Sequence, residues 1–301
     1  MSAGGSEQGA PVDADTLARL QHLQLVARQA ATGAMAGLHS TKRRGASVEF
    51  AEHKEYAPGD DVRRIDWRAY GRLDRYYLKE HQDEANLRLY LVVDHSGSMG
   101  YGNKLAYARA LAGSLAHLSL SQRDAAGLMM VSDEVTFLPP RTRTSHLDEL
   151  FLRLVRAEPR GAGKLAEAIG QLSDMARGRG VCVIISDMLD RSPDPVASMQ
   201  RLVARGFDVS VLHVQHPDER DFPFETPAFF ASMESSARVF VQPRLVRDTY
   251  VREMAKHCEQ LERRLTAARI DVYRCDTSLP AADSLSRFLS LRAALLRARI
   301  A

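Results

Sequence analysis

The sequence contains little cysteine, no clear excess of one charge and no long apolar run. Its 3 cysteines are far apart and include no CxxC pair, which argues against a disulfide framework and a zinc cluster. Lys and Arg number 41 and Asp and Glu 38, so the formal charge of +3 involves no polycationic segment and does not indicate a nucleic-acid partner. No apolar stretch approaches the ~18–20 residues that span a bilayer, and the N-terminal residues lack the features of a secretory signal. These absences predict a cytoplasmic protein without a transmembrane segment.

The composition is that of a folded protein. With 301 residues, of which 45% are hydrophobic and 26% charged, the chain is long enough for one large core or two smaller ones. Changes of pattern along the chain predict four parts. They are a flexible tip with an N-terminal helix at 1–40, a β-rich lobe at 41–86, an α/β domain at 87–280 and a C-terminal helix at 281–301.

Strands and helices alternate regularly after residue 86. The runs "LRLYLVV" and "VCVIISD" are almost continuously apolar, which is typical of strands covered on both faces in the middle of a parallel sheet. Helical segments separate these runs from the later strands "FDVSVLHV" and "IDVYR". The alternation predicts an α/β fold with a mainly parallel sheet and helices on both faces. Ligands of such sheets bind at the carboxyl ends of the strands.

Short side chains that carry oxygen follow the first apolar strand. In "VVDHSGSMG", Asp94, Ser96 and Ser98 occupy alternate positions, and "IISD" brings Asp187 to the end of a second strand. Two carboxylates at one edge of a sheet repel each other unless a cation or a proton lies between them. Mg²⁺ prefers oxygen ligands and keeps several waters, so a few protein oxygens suffice. The pattern predicts that these four residues bind Mg²⁺, or else Mn²⁺ or Ca²⁺.

The same residues carry a resemblance to known families. DxSxS after a buried strand, with a later strand ending in Asp, resembles the metal-ion-dependent adhesion site (MIDAS) of von Willebrand factor A domains. Upstream, "EYAPGDDVRRIDWRAYGR" followed by "YLVVDHSGSM" is similar to the bacterial domain-of-unknown-function-58 family, whose members place a β-rich lead-in before such a domain. The resemblance extends from about Gly45 to Asp276.

This resemblance implies both a fold and a kind of function. The fold would be von Willebrand A-like, a Rossmann-like arrangement, with a small β-rich N-terminal lobe. The function would be protein binding without catalysis, as an adaptor or assembly factor that works with a MoxR-type AAA+ ATPase or with that ATPase's client. In adhesion sites of this kind, an acidic residue of the partner completes the coordination shell of the metal.

One position departs from the adhesion-site pattern. Where such domains have a threonine in a "GGTxL" loop, this chain has "RGAGKL", with Gly163 in the threonine's place and Lys164 beside it. Two hypotheses follow. Either the four oxygen-bearing residues hold the ion with water in the open position, or the Lys164 ammonium replaces the ion and neutralises the carboxylates.

Two other functions fit parts of the pattern. An aspartate after a buried strand, as at Asp94, is typical of the nucleophile of Mg²⁺-dependent phosphatases and other hydrolases. Such enzymes have a second aspartate two residues later, where this chain has Ser96. Besides the adaptor and the hydrolase, a third possible function is that of a structural subunit with a degenerate metal site. Partner capture that is insensitive to substitutions at Asp94, Ser96 and Asp187 would favour it.

The segment "PGDDVRRIDW" is a candidate surface for partner docking. The alternative is a structural role for this segment. Its charged side chains would then pair with one another, and the single tryptophan would anchor the β-rich lobe. The residues concerned are Asp60, Asp61, Arg63, Arg64, Asp66 and Trp67.

Three further features have a structural explanation that we favour. His213 and His216 in "HVQH" are expected to be one buried and one exposed histidine and not a metal-binding pair. Cys182 lies within an apolar strand and is expected to be a core side chain. The C-terminal helix has Leu285 and Phe288 in helical register. Its basic, amphipathic character suits membrane lipid or a partner helix, but packing against its own domain is the commoner case.

Overall fold

The computed structural model describes residues 54–55, 77–78, 87–176, 178–189 and 193–300. The chain divides into two units, one formed by His39–Asn86 and the other containing Leu87–Ala301. In the smaller unit, strand β1 (Lys54–Glu55) pairs antiparallel with β2 (Tyr77–Leu78). The predicted N-terminal helix and the candidate docking surface from Asp60 to Trp67 lie outside the described residues.

The larger unit alternates strands with helices. Its first half contains β3 (Arg88–Asp94), a 3₁₀ turn (Gly97–Gly100), α1 (Lys104–Ser121), β4 (Ala125–Val131), β5 (Val135–Arg141), α2 (Ser145–Arg156) and α3 (Leu165–Met175). Its second half contains β6 (Val181–Ser186), α4 (Pro195–Ala204), β7 (Asp208–Gln215), α5 (Pro217–Asp221), β8 (Ala228–Ala231), β9 (Arg238–Val241), α6 (Pro243–Ala267), β10 (Asp271–Asp276) and α7 (Ala281–Ile300).

One six-stranded sheet, in the order β10-β7-β6-β3-β4-β5, forms the centre of the larger unit. Each neighbouring pair is parallel except β4 with β5 at one edge. Val93 of β3 pairs with Ile185 of β6 just before both strands end, so the carboxyl ends of these two strands are adjacent. The predicted α/β architecture with a mainly parallel sheet is confirmed.

Helices cover both faces of this sheet. Successive side chains of a strand point to opposite faces. Leu91 and Val93 of β3 accordingly belong to the core beneath α1, α2 and α7, whereas Val92 belongs to the core beneath α3, α4 and α6. All three side chains are completely buried. A strand covered on both sides has no polar face, which explains the continuous apolar run in the sequence.

The three cysteines, Cys182, Cys258 and Cys275, are unpaired and buried. Burial raises the pKa of the Cys182 thiol to about 12, so this side chain is protonated at neutral pH. A buried, protonated thiol behaves as a small apolar side chain. The prediction that Cys182 belongs to the core is confirmed.

Helix α7 packs against its own domain. Leu285 and Phe288 are buried, and the Phe288 ring meets the Tyr273 ring edge to face, with 4.8 Å between centroids. Arg292 forms an ion pair with Asp208 of β7 at 2.6 Å. These contacts agree with the packing that we favour for this helix. Within the described ranges, no helix has the length and apolarity that a membrane crossing would require.

Candidate functional site

Asp94 is the last residue of β3, and the chain turns directly after it. Its Oδ1 accepts the backbone N–H of Ser96 at 2.9 Å, and its Oδ2 accepts the hydroxyl of Ser186 at 2.6 Å. The hydroxyl oxygens of Ser96 and Ser98 lie 3.2 Å apart. The structure therefore places the oxygen-bearing side chains of the "DHSGS" loop together at the carboxyl end of the central strand.

Asp187 follows β6 directly, so its carboxylate lies at the same edge of the sheet. Asp94 and Asp187 are almost completely buried, with exposed fractions of 1% and 2%. Burial, and then the negative charge of Asp187, raises the pKa of Asp94 to about 6. The two strand ends thus bring together two carboxylates in a place where ionising both is costly.

A lysine outside the predicted site residues lies beside Asp187. Lys104 begins α1, and its side chain is completely buried. Its Nζ donates to Asp187 Oδ2 at 2.7 Å and also to Glu219 Oε1 in α5. Burial alone would lower the pKa of Lys104, but the two carboxylates outweigh it and raise that pKa. The Lys104 ammonium is therefore a cation that the chain itself places in the site.

The two predicted modulating residues lie on another loop. Lys164 directly precedes α3 and is exposed, whereas Gly163 is buried. The hypothesis that the Lys164 ammonium replaces the ion needs correction, because the ammonium that contacts Asp187 is that of Lys104. The first turn of α1 carries Lys104 to the strand ends, while Lys164 faces solvent from the start of α3.

Three hydrogen bonds join the "DHSGS" loop to residues 158–161, which include the first two residues of "RGAGKL". His95 Nδ1 donates to the carbonyl of Glu158 at 2.8 Å, and the N–H of Arg160 donates to the carbonyl of His95 at 3.0 Å. The N–H of Gly97 donates to the carbonyl of Gly161 at 2.9 Å. Gly161 has a φ of 60°, a left-handed conformation that favours glycine. His95 thus holds the neighbouring loop.

The two histidines of "HVQH" have separate roles. His213 is buried, and its Nε2 donates to the backbone carbonyl of Asp187 at 3.0 Å. His216 is half-buried at the start of α5, where its Nδ1 accepts the N–H of Asp218 at 3.2 Å. His213 is buried as expected, whereas His216 is half-buried and not exposed, because its ring packs against Tyr101. His213 also fixes the backbone that carries Asp187.

The donor atoms at the strand ends fit a hard divalent ion. The oxygens of Asp94, Ser96 and Ser98 would hold it, and its positive charge would favour the ionised form of Asp94. Asp187, the fourth predicted ligand, would contribute through its charge, because its Oδ2 is paired with the Lys104 ammonium. In the described part of the chain, no group of three His, Cys, Asp or Glu side chains is arranged to hold a metal. The serine hydroxyls are therefore essential to this hypothesis.

Comparison with known families identifies the chain. Residues 52–260 match the family described as "Protein of unknown function DUF58". The chain belongs to this family. Among related proteins, the uncharacterized protein Rv1480 of Mycobacterium tuberculosis is 28% identical over 93% of this chain and 90% of its own length. The uncharacterized protein Mb1516 of Mycobacterium bovis is equally similar, with 28% identity over the same shares of the two chains.

Two solved structures from Bacteroides are also similar to this member of the DUF58 family. An aerotolerance-related membrane protein of Bacteroides fragilis is 18% identical, with a TM-score of 0.41 over 67% of this chain and 97% of that chain. The conserved hypothetical protein BatB of Bacteroides thetaiotaomicron is 16% identical, with a TM-score of 0.42 over 69% of this chain and 99% of that one.

Proposed function

We propose that this protein is a non-enzymatic adaptor or assembly factor that binds another protein through a divalent ion at the carboxyl ends of β3 and β6. The observation that supports this most strongly is the buried Asp94 carboxylate, which lies beside two serine hydroxyls and is opposed by the charge of Asp187. Such a carboxylate is costly to keep ionised without a cation. An ion in this place would offset that cost.

The charge balance at the strand ends also favours a divalent ion. The Lys104 ammonium contacts Asp187 and Glu219, and Asp94 is close enough to Asp187 for their charges to interact. Three acidic side chains are thus accompanied by this one ammonium among the described residues. With all of them ionised, two negative charges remain. Buried charges are stable only when they are paired, so one divalent ion would complete the balance.

The surface at this ion would suit a partner that presents a carboxylate. The protein ligands are few, and Gly163 has no hydroxyl where related adhesion sites have a threonine. Coordination positions would therefore stay open to water or to an acidic side chain of a second protein. A MoxR-type AAA+ ATPase, or a client of that ATPase, is the partner that the family resemblance implies.

The surroundings of Asp94 favour binding over hydrolysis. A nucleophilic aspartate needs a second acid nearby to protonate the leaving group. Ser96 stands where that acid would be in an aspartate-dependent phosphatase.

A titration with metal ions tests the proposal. We expect Mg²⁺ and Mn²⁺ to raise the unfolding temperature of the wild-type protein, because an ion that binds only the folded state stabilises it. Asp94→Ala should abolish the increase. Asp174→Ala, which removes an exposed carboxylate in α3, is the matched control and should retain it. A protein partner retrieved from native cell extract should be lost on addition of EDTA. Phosphatase turnover that depends on Asp94 would contradict the proposal.

A further inference from the structure

A β-hairpin lies between α5 and α6, at the same end of the sheet as Asp94. Its strands β8 and β9 pair with Phe229 opposite Phe240. One side of the hairpin is anchored, because Phe230 packs against Phe222 and Phe224 at centroid distances of 5.7 and 5.2 Å. The hairpin therefore has a defined position and is not a loose loop.

The tip of this hairpin touches the "DHSGS" loop between its two serines. A Cβ atom built on Gly97 would lie 2.1 Å from the carbonyl oxygen of Met233 and 3.2 Å from Glu234 Cγ. The Met233 side chain reaches Gly100, with its Cε 3.3 Å from a Cβ built there. Gly97 is flanked by Ser96 and Ser98, so the tip lies directly against the residues that would hold the ion.

The base of the hairpin is tied through α5 to Tyr101, which follows the 3₁₀ turn, and to Lys104. The Tyr101 hydroxyl donates to Asp218 at 2.8 Å, and its ring meets the ring of His216 edge to face at 5.1 Å. Glu219 accepts the buried ammonium of Lys104. We term the segment 216–241 the cap. Its tip contacts the "DHSGS" loop, and its first residues contact Tyr101 and Lys104.

Glu234 is the acidic side chain at the tip of the cap. It is half-buried, whereas its neighbours Met233 and Ser235 are exposed, so it faces the protein. Within the described residues, its carboxylate forms no hydrogen bond and no ion pair. Its Cγ lies 3.2 Å from a Cβ atom built on Gly97, so the side chain runs beside the loop that carries Ser96 and Ser98.

We propose that Glu234 supplies a carboxylate oxygen to the ion from within the chain and so fastens the cap over the site. This inference rests on the function proposed for the site. Adhesion sites have a threonine hydroxyl where this chain has Gly163. The carboxylate oxygen of Glu234 would replace that missing ligand. A partner that reaches the ion with its own carboxylate would then compete with Glu234 for it, so the cap regulates access to the site.

Binding of Mn²⁺ alone tests this assignment. Its affinity is measured by calorimetry, and water-proton relaxation reports how many exchangeable waters the bound ion keeps. For Glu234→Gln we expect an affinity that is lower by about tenfold or more, and at least one additional water on the ion. The matched control is Glu225→Gln, which removes one negative charge from an exposed residue of the cap and should bind Mn²⁺ like the wild type.

Hydrogen exchange provides a second readout of whether Glu234 fastens the cap when the ion binds. Mn²⁺ should slow exchange of the amides of β8 and β9 in the wild type and in Glu225→Gln, but not in Glu234→Gln. If Mn²⁺ binding depends on Asp94 yet is unchanged in affinity and hydration by Glu234→Gln, the inference is wrong and the proposed metal site stands. If no Mn²⁺ binding depends on Asp94, both are wrong.

Discussion

The Lys104 ammonium lies 2.7 Å from Asp187 Oδ2 in a completely buried position, at the end of the central sheet. The same ammonium reaches Glu219 in α5, so one cation joins the first turn of α1, the residue after β6 and the base of the cap. Neither carboxylate has to be ionised without a partner, because the lysine lies between them. The pair is therefore a structural element of the site, whether or not an ion is bound.

Replacing Lys104 should strongly destabilise the protein. Lys104→Met leaves Asp187 and Glu219 buried without their cation, and breaking a buried pair from one side typically costs about 3–5 kcal/mol. We expect that loss in the free energy of unfolding, measured by urea denaturation of the metal-free protein. Lys164→Met is the control, since an exposed lysine should change this free energy by no more than about 0.5 kcal/mol.

The outcome that contradicts this prediction is equal stability of the two lysine variants. A further check is the double variant Lys104→Met with Asp187→Asn. Removing the charge of Asp187 should recover part of the lost stability, because the two residues interact directly and their effects are not additive.

Asp94→Asn should stabilise the metal-free protein at neutral pH. The pKa of Asp94 is about 6 in the folded state against 3.8 ordinarily, so the folded state holds the proton more tightly than the unfolded state. The free energy of unfolding therefore falls as pH rises from about 4 to 6. Above pH 6 the full cost of ionising the buried Asp94 carboxylate is present. A shift of this size corresponds to about 3 kcal/mol. Asparagine is uncharged and avoids the cost.

Chemical denaturation at pH 4 and pH 7.5 measures this effect. In chelator, Asp94→Asn should be more stable than the wild type at pH 7.5 and equal to it at pH 4. With excess Mg²⁺ at pH 7.5 the order should invert, because only the wild type binds the ion. The exposed Asp174→Asn serves as the control and should follow the wild type. An Asp94→Asn variant that is less stable than the wild type in chelator at pH 7.5 would refute the argument.

Adding one methyl group at Gly97 should displace the tip of the cap. The new Cβ would lie 2.1 Å from a backbone oxygen of Met233, so the two segments have to separate. We expect Gly97→Ala to lower the free energy of unfolding by about 1–3 kcal/mol and to speed amide exchange in β8 and β9. Gly170→Ala is the matched control in the interior of α3, where the nearest atom is a guanidinium nitrogen of Arg201 at 3.4 Å. Alanine there should stabilise the helix by about 0.5–1 kcal/mol. A Gly97→Ala protein as stable as the wild type would show that the contact is not maintained in solution.

The parts of this structure that could be predicted are those set by local pattern. Continuous apolar runs placed β3 and β6 in the middle of a parallel sheet, and the ends of parallel strands share an edge, so Asp94 and Asp187 could be expected to meet. Composition alone would not have located the site at these strand ends, because the charges of the chain are nearly balanced. The order of strand and helix was sufficient.

The parts that could not be predicted depend on partners distant in the sequence. Lys104 is buried because Glu219, 115 residues later, meets it together with Asp187. A lysine at the start of an apolar helix gave a weak indication, but nothing local distinguishes it from the exposed Lys164. The cap was missed because its strands have four residues each and are mostly exposed, which leaves no alternating pattern to detect.

The anchoring of the cap by aromatic side chains leads to a last prediction. Phe230 packs against Phe222 and Phe224, whereas Phe229 on the other side of β8 is 71% exposed and meets only Phe240 among the rings of the described residues. Phe230→Ala should lower the free energy of opening of β8 and β9 by about 1–3 kcal/mol, because it removes both ring contacts and buried apolar area. Phe229→Ala should lower it by at most about 1 kcal/mol, the scale of one cross-strand pair. Amide exchange measures both, and exchange in the central strand β3 is the internal reference, since global unfolding would accelerate it as well. Equal effects of the two alanines would mean that the aromatic cluster does not hold the hairpin, and the tip would then need another reason to lie against Gly97.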